Sequence, residues 1–163
     1  MFSPNEWPIA WMARAERQHA RNATVLLAPL GLHHREFRLM AMLANADGLT
    51  VGELAELAVL ERPTVSKMAD RLQAVGWVQR ESHSQDRRRC VLRLTPNGRA
   101  TFDAAVPVVE GLFQRYQSGV PELDQARFIG EVEAFYQRVH RARPQEPSVT
   151  SNGDPGGRHE PQP

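Results

Sequence analysis

The sequence predicts a mainly α-helical fold with one small β-hairpin, and three observations indicate this class. Apolar residues recur at helical spacing along most of the chain up to residue 143. The spacing changes to strand-like alternation in residues 78–81 and 90–94, which a polar loop separates. Residues 144–163 are rich in proline and glycine and hold almost no large apolar residues, so we expect this tail to be disordered. One folded domain is therefore predicted over residues 1–143.

Two helices are predicted in the first part of the chain. The first covers residues 7–28, because Pro8 suits an opening helical turn and Pro29 stops a helix. The second covers residues 34–45 and ends before Gly48.

A pair of short helices follows. Thr50 and Glu53 have the spacing of a capping box, which starts a third helix that ends near Ala58. A fourth helix begins at Arg62-Pro63 and ends at Gly76. Its predicted inward face consists of Val65, Met68, Ala69, Leu72 and Val75.

The outward face of this fourth helix is polar. At about 100° per residue, the outward residues are Pro63, Thr64, Ser66, Lys67, Asp70 and Arg71. Small hydroxyl groups and long cationic side chains can bond to phosphates and to base edges. A solvated amphipathic helix shows the same pattern, so this helix alone does not decide the function.

The hairpin favours a polyanionic partner. Residues 62–99 contain nine basic and three acidic residues, a net charge of +6, whereas the rest of the chain carries −5. Arg87, Arg88 and Arg89 lie at the loop tip, where an arginine can enter a DNA minor groove, and Asp86 is expected to orient one of them. An incidental surface run is the alternative. Together, the helix pair and the basic hairpin predict a winged helix-turn-helix over residues 34–98.

Two further helices complete the prediction. Thr95-Pro96 starts a fifth helix, in which Pro107 is expected to cause a kink or a break. A last helix over residues 121–143 carries an apolar seam that suits contact with a second copy of the chain, although packing within the chain has the same pattern. The seam residues are Phe128, Val132, Phe135 and Val139.

Residues 7–140 resemble the MarR family of bacterial regulators. The resemblance rests on Thr64-Val65-Ser66-Lys67, Asp70-Arg71-Leu72, Gly76-Trp77-Val78, Asp86-Arg87-Arg88, and Leu92-Arg93-Leu94-Thr95 with Gly98. It implies a two-fold homodimer formed by residues 7–28 and 99–143, with Asp86 paired to Arg88 inside the wing. Glu61 and His33 stand at helix caps where the family usually has Ser, Thr or Asp.

The function that this resemblance implies is regulation of transcription. The chain is expected to be a ligand-responsive repressor that binds double-stranded DNA at an inverted-repeat operator. The predicted DNA contacts are Arg62, Pro63, Thr64, Ser66, Lys67, Arg71, Arg87, Arg88 and Arg89. A winged-helix module that binds another protein is the alternative, and salt dependence separates the two, because binding to phosphates weakens steeply with salt.

The resemblance also implies a small aromatic or phenolic effector. The candidate residues are Trp7, Trp11, His33, His34 and Arg38. Dimer packing of the two tryptophans and helix capping by the two histidines are competing interpretations. Cys90 alternates with Leu92 and Leu94 in its predicted strand, so we expect a small buried side chain and not a redox sensor.

Other function classes find little support in the sequence. There is no phosphate-binding glycine loop, nucleophile motif or paired-carboxylate constellation, so an enzyme is not expected, and neither is a cofactor or a metal site. No run of about 18 apolar residues suggests a membrane span. The first residues do not resemble a secretory signal. A cytoplasmic protein is therefore expected.

Overall fold

The computed structural model describes residues 7–82, 90–120 and 124–142. Contacts divide the chain into two units, with the boundary between Pro121 and Glu122. The described elements of the first unit are α1 (Pro8–Leu27), α2 (His34–Ala44), α3 (Val51–Ala58), α4 (Arg62–Ala74), β1 (Val78–Ser82), β2 (Cys90–Leu94) and α5 (Pro96–Ser118). The second unit contains α6 (Gln125–Arg141). The predicted fold class is confirmed, whereas a single domain reaching residue 143 stays a prediction.

Local sequence signals explain where the helices begin. The Thr50 hydroxyl accepts a hydrogen bond from the Glu53 amide at 3.2 Å, and the Glu53 carboxylate accepts one from the Thr50 amide at 2.8 Å. This reciprocal pair confirms the predicted capping box of α3. At the start of α5, the Thr95 hydroxyl accepts from the Gly98 amide at 3.0 Å, as its N-cap position predicted.

The connection between α1 and α2 is a short 3₁₀ turn, Ala28–Leu30, that contains Pro29. Gly31 follows in the left-handed conformation with φ of +71°, which a residue with a Cβ rarely adopts. This tight connection turns the chain back so that α2 packs against α1.

One apolar core joins the elements of the first unit. α1 and α2 contribute Leu27, Leu39 and Met40, and α4 contributes Val65 and Leu72, all almost fully buried. Burial of one such side chain stabilises a fold by about 1.5–3 kcal/mol. The core therefore fixes one face of α4 and leaves the other free.

The two strands are antiparallel, with Val78 opposite Leu94 and Ser82 opposite Cys90. Leu49 adds a bridge beside β2, because its amide and carbonyl bond to the Leu92 backbone at 3.2 and 2.8 Å. The predicted loop residues Asp86, Arg87, Arg88 and Arg89 and the tail 144–163 lie outside the described residues.

The predicted burial of Cys90 was wrong, because the structure exposes this side chain. Val91 and Leu92 are both buried instead, so simple alternation fails at this end of β2. Leu92 belongs to the core. Val91, on the opposite face, is covered by the loop at Gly48, where an added Cβ would lie 3.0 Å from a Val91 methyl group. Cys90 is the first residue of the strand, and the core does not extend to it.

Helix α5 runs through Pro107 without interruption, so the expected break is absent. Proline removes one helical hydrogen bond and leaves the carbonyl four residues earlier without its partner. Pro107 and Asp103 are both exposed, so water can bond to the freed carbonyl there.

Candidate nucleic-acid interface

Helix α4 presents a polar face to solvent above a buried anchor. Val65, Ala69 and Leu72 are 0%, 2% and 1% exposed and share the inward side of the helix. On the other side Pro63 and Lys67 are exposed, and Thr64 and Ser66 are partly exposed. We call these four residues the recognition face. Its hydroxyl and ammonium groups can donate hydrogen bonds to phosphates or to base acceptors.

The start of α4 is capped weakly. Its N-cap residue Glu61 makes no side-chain cap hydrogen bond, in agreement with the departure noted in the sequence. The Glu61 carbonyl accepts from the amides of Thr64 and Val65 at 2.9 and 3.1 Å, and Pro63 needs no amide partner.

Arg62 lies across the first turn of α3. A Cβ added at Gly52 would lie 3.3 Å from the Arg62 guanidinium, so glycine provides the room for this side chain. Arg62 is exposed and lies beside the amino-terminal end of α3. The amino terminus of a helix attracts anions, so the arginine and the helix end can bind the same anion.

Arg71 differs from the recognition face because groups of the chain itself bind it. One guanidinium nitrogen pairs with the Glu36 carboxylate, and the other donates to the Gly31 carbonyl at 3.1 Å. Glu36 was not predicted as a functional residue from the sequence. Its position in the first turn of α2 was a visible signal for capping, but nothing in the sequence linked it to Arg71.

Further ion pairs attach the hairpin to the rest of the first unit and join its two strands. Arg80 of β1 pairs with Asp70 of α4 at 2.6 Å. Arg93 of β2 pairs with Asp47 and, at 3.0 Å, with Glu81. The hydrogen bond with Asp47 is the main cause that raises the pKa of Arg93 above its ordinary value. These contacts orient the two strands that carry the predicted wing loop.

The structure separates the five predicted effector residues by their environment. Trp7, Trp11 and His33 are exposed, Arg38 is half-buried, and His34 is 5% exposed. Arg38 donates to the Ala58 carbonyl at 3.5 Å, a long hydrogen bond that reaches the end of α3.

His34 forms an aromatic cluster with two residues that the sequence analysis missed. Its ring meets His19 edge-on with 4.8 Å between ring centroids, and His19 meets Tyr116 at 5.9 Å. The Tyr116 hydroxyl accepts from the Asn22 amide group at 3.0 Å. These residues come from α1, α2 and α5, and no sequence spacing relates them.

The buried position changes the acidity of His34. Loss of hydration lowers its pKa from 6.5 to about 4, and the neighbouring charges of His19 and Arg38 act in the same direction. Its Nδ1 atom is buried and makes no hydrogen bond within the part of the chain that the structure describes. At neutral pH the cluster therefore contains an uncharged imidazole with an available polar atom.

The described ranges lack two other kinds of feature. They contain no group of three or more His, Cys, Asp or Glu side chains placed to hold a metal ion. None of their helices is both long enough and apolar enough to cross a membrane.

The chain is similar to known regulators in sequence and in fold. A family model described as MarR family matches residues 30–89. The HTH-type transcriptional repressor IacR of Pseudomonas putida is 23% identical over 138 residues, which cover 85% of this chain and 83% of IacR. A crystal structure of a MarR-family transcriptional regulator from Silicibacter pomeroyi is 30% identical, with a TM-score of 0.68 over 87% of this chain and 94% of the other. The M. tuberculosis transcriptional regulator MOSR in complex with DNA is 26% identical, with a TM-score of 0.71 over 85% of this chain and 99% of MOSR.

Proposed function

Because the chain belongs to the MarR family of transcriptional regulators, we propose that it represses transcription as a cytoplasmic homodimer bound to an inverted-repeat operator. The observation that carries this proposal is the recognition face of α4, which is polar and accessible while its opposite side is fixed in the core. A helix held in this way can enter a major groove as one rigid body.

Each part of the interface has its own role in this proposal. Thr64, Ser66 and Lys67 contact bases and phosphates in the major groove, and Arg62 contacts the backbone beside α3. Arg87, Arg88 and Arg89 enter the adjacent minor groove, which attracts arginine where it is narrow. This last assignment rests on the sequence and on the family resemblance.

Dimerisation places two such faces on one side of the operator. Exposed large apolar side chains are concentrated on the terminal helices and at the end of α5: Trp7, Ile9, Trp11, Met12, Phe113, Val120, Phe128, Ile129, Tyr136 and Val139. Exposed large apolar side chains favour protein association. Within α6 we assign the seam to the dimer contact, with Val132 and Phe135 half-buried along it.

The effector in this proposal is a small aromatic acid or phenol that binds against His34. A neutral imidazole carries one ring proton, so Nδ1 can accept a hydrogen bond from a phenol hydroxyl in one tautomer or donate one to a carboxylate in the other, and the rings of His19 and Tyr116 supply aromatic contact. Titration of benzoate and of phenol into wild type and into a His34→Leu variant tests this position. If wild type and His34→Leu bind each compound with equal affinity, the effector does not bind against His34.

Two interface variants test the DNA contacts in a gel-shift titration at several salt concentrations. Lys67→Ala and Arg88→Ala should each weaken operator binding and lower the salt slope by about 1, because each removes one phosphate-neutralising charge. Arg21→Ala removes the same charge from an exposed position of α1 and is the control, provided that it stays dimeric in sedimentation. Arg88→Ala should leave the dimer intact in sedimentation.

The results also separate DNA binding from the alternative protein-binding module. If Arg88→Ala binds the operator as wild type does, the wing assignment is wrong. If wild type binds duplex DNA only weakly and without salt dependence, the protein-binding module becomes the better explanation.

A further inference from the structure

A buried carboxylate connects the start of α2 to the end of α4. Glu36 is 3% exposed, and both of its oxygens are used. One accepts from the Arg71 guanidinium, and the other accepts from the His33 amide at 3.0 Å. Burial of an unpaired carboxylate is costly, so this arrangement depends on Arg71 remaining in place.

The same arginine also holds the loop between α1 and α2. Its second guanidinium nitrogen donates to the Gly31 carbonyl at 3.1 Å, at the residue that adopts the left-handed turn. Arg71 therefore reaches from the last turn of α4 to two points on residues 31–36. We call Glu36 and Arg71 the α2–α4 clamp.

The clamp adds a directional contact to the apolar packing that holds α4. Val65, Ala69 and Leu72 anchor the helix through contacts that have no strong direction. A charged hydrogen bond has a defined distance and angle, and the planar guanidinium uses two of its donors here. The clamp therefore restrains α4 in rotation and along its axis, both of which determine where its recognition face points.

From this geometry we infer that Arg71 is a positioning residue for DNA recognition and not a DNA contact: the α2–α4 clamp orients the recognition face. This inference rests on the proposed function and changes one of the contacts predicted from the sequence. Arg71 leaves the set of phosphate contacts, and Glu36, which no sequence signal related to DNA, becomes necessary for tight binding.

The clamp also gives the α1–α2 junction a route to the DNA interface. Within residues 31–36, the His34 amide donates to the Thr24 hydroxyl of α1 at 3.3 Å, and its ring lies against His19. Glu36 and Gly31 of the same segment bind Arg71. A molecule that displaces this segment must therefore either break the clamp or move α4 with it.

A set of amide substitutions tests the inference by DNA affinity and its salt slope. Glu36→Gln keeps Arg71 but removes the negative charge that it pairs with, so a phosphate-binding arginine would leave the affinity unchanged or raise it. A positioning arginine predicts a loss of about tenfold with an unchanged slope. The double variant Glu36→Gln/Arg71→Gln has a neutral pair in place of the clamp and should bind within about twofold of Glu36→Gln.

The controls separate orientation from folding and from the proposed function. Asp103→Asn makes the same carboxylate-to-amide change in the exposed Arg99–Asp103 pair and should leave the affinity unchanged. Urea unfolding confirms that every variant is folded at the titration temperature, because lost stability alone does not alter the affinity of a fully folded protein. Wild-type binding in the same titration decides the proposed function independently.

Two results would overturn the clamp while the proposed function stands. One is wild-type affinity in Glu36→Gln. The other is a further loss in the double variant together with a salt slope smaller by about 1, which would identify Arg71 as a phosphate contact. A wild-type protein that binds no duplex would overturn both proposals.

Discussion

At the scale of single residues, His34 combines a polar side chain with a buried position. Its ring packs against His19 of α1, and burial lowers its pKa to about 4. The charge of the half-buried Arg38 contributes in the same direction. The folded protein therefore resists protonation of this imidazole over a range in which the unfolded chain accepts the proton.

This difference predicts how stability depends on pH. Between pH 6.5 and about pH 4 the unfolded state binds more protons at His34 than the folded state does, so stability falls as the pH falls through this window. Wild type should lose on the order of 1–3 kcal/mol more than His34→Gln across it. Urea unfolding at pH 7, 5.5 and 4.5 measures the difference.

The difference between wild type and His34→Gln excludes the contribution of the carboxyl groups, because these groups titrate in the same pH range in both proteins. His33→Gln replaces the exposed neighbouring histidine and is the control for the loss of an imidazole. An identical pH dependence in wild type and His34→Gln would show that His34 does not respond to burial in this way.

Local residue signals were predictable, whereas distant partners were not. Thr50 and Glu53 are three residues apart, so their capping box could be predicted from the sequence alone. Glu36 and Arg71 are 35 residues apart, and their pairing depends on how α2 and α4 pack. Cys90 was misassigned for the same reason, because strand alternation does not say where the core ends.

At the scale of elements, the beginning of α5 is fitted closely against the chain segment that leaves α4. The Thr95 hydroxyl donates to the Gly76 carbonyl at 2.7 Å, and the Thr95 amide donates to the Trp77 carbonyl at 3.0 Å. Gly98 lies directly above: a Cβ there would be 1.9 Å from the Trp77 carbonyl oxygen. Glycine is therefore required at this position by close backbone contact.

Gly98→Ala should consequently destabilise the fold by about 1–3 kcal/mol, as overpacking of a close contact does. Gly111→Ala is a matched control in the same helix, because nothing lies within 4 Å of a Cβ at Gly111. That variant should gain up to about 1 kcal/mol from better helix propensity. Urea unfolding of both variants measures the contrast, and equal stability of the two would refute the contact.

Prediction at the element scale succeeded wherever caps and periodicity agreed. The starts of α3 and α5 and the paired strands lie where Thr50, Thr95 and the alternating residues indicated. At Pro107 of α5 the helix is not broken, and the alternative of a kink stays a prediction. A proline signals a missing hydrogen bond, but the sequence does not show that water can replace it on an exposed side.

At the scale of the whole molecule, the account requires two chains. The terminal helices expose large apolar side chains, and the seam of α6 is the most regular set among them. Phe135→Glu should yield monomers in sedimentation, because the free energy needed to bury an unpaired carboxylate exceeds the stabilisation that the apolar contact provides. Ala134→Glu changes the adjacent exposed position and should stay dimeric. An intact dimer in Phe135→Glu would contradict the assignment.

The central claim is that a dimer reads DNA through the recognition face of α4, and selection from random genomic fragments tests it most directly. Wild type should enrich an inverted repeat whose half-sites are about 10–10.5 base pairs apart, or a multiple of that spacing. Two chains should bind each repeat, and the affinity should fall steeply with salt. If no sequence is enriched over background, the account is contradicted.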